Sequence, residues 1–74
     1  MFKHHPAADE TVDPEWEFVG TPFAIQDCRS YGGGFTVIEY GPSRENIEWV
    51  QTIKTCKTLA CAKLAAIAAW ETRT

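Results

Sequence analysis

The chain has no long apolar run, no histidine beyond position 5 and no cysteines at metal-knuckle spacing. A helix that crosses a bilayer needs about 20 apolar residues. The nearest candidate, Leu59–Trp70, is shorter and carries Lys63, so no membrane partner is expected. The start, Met-Phe-Lys-His-His-Pro, lacks the apolar stretch of a secretory leader, and Cys28, Cys56 and Cys61 make an odd number. Together these predict a cytoplasmic protein with free thiols. His4 and His5 fall in a stretch poor in core residues, so no His-activated nucleophile is expected in the core. Cys56 and Cys61 match neither a C-x2-C knuckle nor a helical i, i+4 pair. The expectation is therefore a non-enzyme, with no catalytic residue, no cofactor and no metal.

Positive charge is also scarce. Seven Lys and Arg stand against ten Asp and Glu, for a net charge of -3. Asp9, Glu10, Asp13, Glu15 and Glu17 crowd the beginning of the chain with Lys3 as their one basic neighbour. Arg29, Arg44, Lys54, Lys57, Lys63 and Arg73 are scattered over the rest. Duplex recognition relies on a clustered basic footprint, so nucleic acid is a disfavoured partner.

What is present describes one small domain. Residues 1–15, with Pro6, Pro14 and the acidic cluster, read as a mobile acidic arm, and 16–74 as a single α+β domain. The segment 17–28 is rich in aromatic and β-branched residues and reads as a first strand, with Pro22 at an edge or at a break between two short strands. Arg29–Gly34 is a turn signal. A phosphate loop would need its glycines to lead into a helix, and here the alternating strand 34–41 follows. Ile47–Lys54 suits a strand by its β-branched and aromatic density, although a helix capped by Ser43 also fits its apolar spacing. Glu39, Glu45 and Glu48 are candidates for an acidic patch at the sheet edge. The expected fold is βββα: a three-stranded antiparallel sheet followed by one helix, about 57–72, packed on it.

That helix has almost no polar side. On a helical wheel Leu59, Ala62, Ala66, Ala69 and Trp70 share one face, which should lie on the sheet. Leu64 and Ile67 project to the side. A chain this short cannot wrap an all-apolar helix, so these two are expected to meet a partner, together with Tyr31, Tyr40, Arg29 and Arg44 near the strand ends. Trp49 is also a candidate sheet-face anchor, although for it and Trp70 a place in the core is preferred.

Thr58, Leu59, Ala62, Lys63 and Ala66 resemble a turn-into-helix motif of small phage and prophage proteins, in which a last strand runs into an alanine-rich helix. Double-stranded RNA-binding domains also end in such a helix, but the lysine-rich helix start they use on phosphate is missing here. Similarity to small phage proteins, anti-CRISPR proteins among them, implies a binding module that inhibits or redirects a host protein complex. The surplus apolar surface of the helix, for its part, points either to such a target or to a second copy of this chain in a homodimer. The alternative is a small nucleic-acid-binding domain that uses its sheet, with Arg29, Arg44 and Lys54 on phosphates and Tyr31 or Phe35 stacked on bases.

Overall fold

The computed structural model describes residues 1–8 and 13–73. The elements run β1 (Phe2–His5), β2 (Glu15–Phe18), β3 (Phe23–Cys28), a 3-10 turn (Arg29–Tyr31), β4 (Gly34–Pro42), β5 (Ile47–Cys56) and α1 (Leu59–Arg73). The strands form one antiparallel sheet in the order β1-β2-β3-β4-β5, each paired with its neighbour in sequence. Helix α1 lies across one face, against β3, β4 and β5. The α+β class with a C-terminal helix on an antiparallel sheet agrees with expectation. The sheet has five strands and not three.

Each of the two extra strands has an identifiable cause. The expected first strand is divided: Gly20 takes φ 83°, and Thr21 Oγ1 donates to the Phe18 carbonyl at 2.8 Å while accepting from Phe23 N at 3.1 Å. That side-chain-stapled turn folds the segment into the hairpin β2–β3, so Pro22 marks a break. The stretch read as an arm contributes β1. Phe2 stacks on Phe18 and His4 on Trp16, each pair with ring centroids 4.7 Å apart, and cross-strand aromatic pairs of this kind stabilise a ladder. Asp9 and Glu10 of the acidic cluster lie outside the described residues.

Register decides which residues reach the core. The pairs Phe23–Glu39, Ile25–Val37 and Asp27–Phe35 share the helix-covered face. Phe18, Phe23, Ile25, Phe35, Val37 and Cys56 from the sheet pack with Ala62 and Ala66 of α1. Both alanines are fully buried, and Leu59, Ala69 and Trp70 pack beside them, so the face assigned from the wheel is the one in contact. Trp70 meets Phe23 edge-on at 6.3 Å. Small residues let the helix sit close to the sheet. The helix begins at a Thr58 cap whose Oγ1 accepts from Cys61 N at 3.1 Å. Gly34 is fixed by its neighbour: φ is +63°, and a Cβ there would stand 2.5 Å from the Cys56 carbonyl oxygen. Among the described residues no helix is long and apolar enough to cross a membrane.

Candidate functional site

The residues expected to meet a partner are dispersed, and most are engaged within the chain. Arg29 makes a bidentate pair with Asp27, Nε to Oδ1 at 2.9 Å and Nη2 to Oδ2 at 2.7 Å, and lies over the Phe35 ring at 4.8 Å. These hydrogen bonds hold the Asp27 carboxyl below its usual range and raise Arg29. Ile67 is half-buried and packs against the core, whereas Leu64 keeps 69% of its surface exposed. Tyr31 closes the 3-10 turn, and its side chain lies outside the described residues.

Tyr40 and Arg44 are brought together on the sheet face away from α1. Arg44 lies over the Tyr40 ring at 5.3 Å. The Tyr40 hydroxyl donates to Glu15 Oε1 at 2.6 Å, Arg44 Nη2 donates to Glu15 Oε2, and Arg44 Nε lies 3.6 Å from Glu17 Oε1. Glu17 also pairs with His5 Nε2 at 2.9 Å. The chain His5–Glu17–Arg44–Glu15–Tyr40 thus ties β1, β2 and β4 to the turn after β4. Burial, and then the Glu15 carboxylate, push the Tyr40 phenol up to about 12. The His5 contact holds Glu17 below its usual range, against desolvation. For Arg44 desolvation works downward, but the hydrogen bond and charge of Glu15, with Glu17, raise it on balance. Both arginines offered for phosphate contact therefore already face carboxylates. The acidic patch is also undone, because Glu39 is 2% exposed and accepts from Gln51 Nε2 at 3.2 Å.

Open apolar surface gathers elsewhere. On β5 Ile47, Trp49, Val50 and Ile53 keep 51, 48, 52 and 38% of their surface exposed, and every residue of the strand before Cys56 is exposed. Trp49, expected in the core, instead lays its ring over Gly41, where a Cβ would stand. The strand is the last in the sheet, and among the described residues nothing pairs with its outer edge. Because Ile53 is the extra residue of a bulge opposite Val37 and Ile38, it turns to the helix side with Lys54. The two line an open groove of about 390 Å³ with Ala65, Ala68, Ala69 and Thr72. From the sequence only Trp49 of this surface stands as a candidate anchor, with a core place preferred for it; Ile47, Val50 and Ile53 are missed. The available signal was apolar residues on both faces of the strand, Trp49 on one and Val50 on the other, in the last strand before the helix.

The opposite edge differs. Strand β1 has four residues, among them Lys3, His4 and His5, and Pro6 follows. Short, charged, Pro-flanked edges resist further pairing, whereas β5 offers ten residues with two charges, Glu48 and Lys54. What this arrangement can do chemically is accept another strand. Comparison of the chain with protein-family models, curated proteins and solved structures found no match.

Proposed function

We propose that this chain is a non-enzymatic protein-binding module whose docking element is the outer edge of β5. The observation that carries this reading is the concentration of exposed large apolar side chains on one unpaired edge strand. An edge of this type supplies main-chain hydrogen bonds for affinity and alternate side chains for selectivity, and exposed apolar patches mark interaction surfaces. Because Ile67 is half-buried, the strand is favoured over the helix flank, where Leu64 alone of the two stays exposed. The narrower form, an anti-CRISPR-like inhibitor of a host complex, draws its support from the phage-like Thr58–Ala66 stretch and from no feature of β5.

A photo-crosslinking residue at Val50 tests the docking element in cells, with the same residue at the exposed loop position Val19 as control. The expected result is a discrete protein adduct, with this chain or another, from position 50 and not from 19. Equal labelling from both positions, or none from 50, overturns the reading.

A further inference from the structure

We infer that the strand accepted by β5 is the β5 of a second copy, paired antiparallel about Gln51; this rests on the docking reading above. The sequence of β5 is self-complementary about that residue. Glu48 and Lys54, its two charged residues, stand three positions to either side of Gln51. Antiparallel pairing about Gln51 therefore sets the acid of one copy level with the base of the other at both ends of the shared segment. No like charges meet.

The side chains between these ends also match by face. Trp49 and Gln51 pair with Gly41 and Glu39 on the helix-covered face, and Val50 and Thr52 pair with Tyr40 and Ile38 on the other. Pairing about Gln51 puts Val50 beside Thr52 of the second copy and Trp49 beside Ile53 of the second copy. Aromatic–β-branched and β-branched pairs of this kind are favourable across antiparallel strands. The bulge turns Ile53 onto the helix face, so both members of the Trp49–Ile53 pair lie on the α1 side. Each indole leans over Gly41 of its own copy, so it is the outward side of Trp49, 48% exposed, that the second copy's Ile53 would cover. Pairing about Val50 would instead set Trp49 against Gln51 and leave that match unmade.

The assembly closes at two copies. A two-fold β5–β5 contact is isologous and consumes the open edge of both chains. The outer edges that remain are the two β1 strands, which are short and charged. The product is a finite ten-stranded sheet with both helices on one side.

Sedimentation of the intact protein from micromolar to millimolar concentration should show a dimer, and Trp49→Lys should shift it to monomer without loss of the far-ultraviolet signature. Register is read in a Cys61→Ser background by oxidising Val50→Cys and Thr52→Cys chains separately and mixed; both positions are exposed, so folding is retained. The mixture should give the cross-linked dimer, and the separate chains should not. Self-linking of Val50→Cys alone at the level of the mixture would place the dyad on Val50 and overturn the register. A chain that sediments as monomer throughout overturns the second copy. In that case a Val50 photo-adduct with a different protein leaves the docking reading standing, and no adduct removes both.

Discussion

The Tyr40 hydroxyl reaches Glu15 at 2.6 Å across an intervening strand, on a face where Ala24 of β3 is fully buried. A larger residue at 24 would obstruct that diagonal, so an alanine on one strand permits a hydrogen bond between two others. The phenol is pushed up to about 12, chiefly by burial and then by Glu15. In a Tyr31→Phe chain, phenolate absorbance should therefore report Tyr40 ionising near 12, well above its ordinary value of 10.0. The raised value means a stability contribution fully present below about pH 10 and lost as pH rises through the folded value. Tyr40→Phe should cost about 1 kcal/mol at neutral pH, as loss of one partly exposed hydrogen bond to a carboxylate. Ionisation near the ordinary value would show that the phenol is neither buried nor held by Glu15 as described.

On the acid side the carboxylates govern. Glu17, ordinarily at 4.5, is lowered by His5, and Asp27, ordinarily at 3.8, is lowered by Arg29. Their contribution is present above those ordinary values and disappears as pH falls through the lower folded ones, because the unfolded chain binds the protons first. Urea midpoints should thus fall between about pH 5 and about pH 2. Arg29→Gln should flatten part of that fall by returning Asp27 toward its ordinary value. An unchanged slope in the variant would show that the exposed pair contributes nothing, as many surface pairs do.

Much of the architecture is legible in the sequence because it rests on short-range signals. The glycine turn at 32–34, the alternation from Phe35 to Tyr40 and the alanine face of α1 each depend on neighbours in the chain. Strand β1 was hidden for the opposite reason. Phe2 and His4 acquire a role only when Phe18 and Trp16, far along the chain, stand beside them. The candidate site was obscured in the same way. Arg29 and Arg44 look free in sequence and are paired in space, and Trp49 looks like core until its strand proves to be the last of the sheet. Edge status belongs to topology, which residue type and spacing do not encode.

The two sides of α1 should respond differently to substitution. Ala62 and Ala66 are fully buried against the sheet, so Ala66→Leu would overpack the contact at about 1–3 kcal/mol. Leu64→Glu, at an exposed site, should stay within about 0.5 kcal/mol of the natural chain. Ile67→Glu should cost about 2 kcal/mol, since it brings a carboxylate against apolar core residues. Urea denaturation of the three variants measures the order. Equal tolerance at 64 and 67 would mean that Ile67 does not pack as described.

The thiols offer a test of the strand-to-helix junction. Cys28 and Cys56 are buried and Cys61 is exposed. The Cys56 thiol is pushed up, first by burial and then by its hydrogen bond with Cys61, which keeps it protonated and a poor nucleophile. Iodoacetamide at neutral pH should therefore add one label to the native chain, at Cys61, and reach the other two cysteines only in denaturant. Cys61→Ser should leave the native protein unlabelled on the same timescale. If Cys56 instead reacts as fast as Cys61, the end of β5 opens readily, and its packing in the core is weaker than the close contact around Gly34 implies.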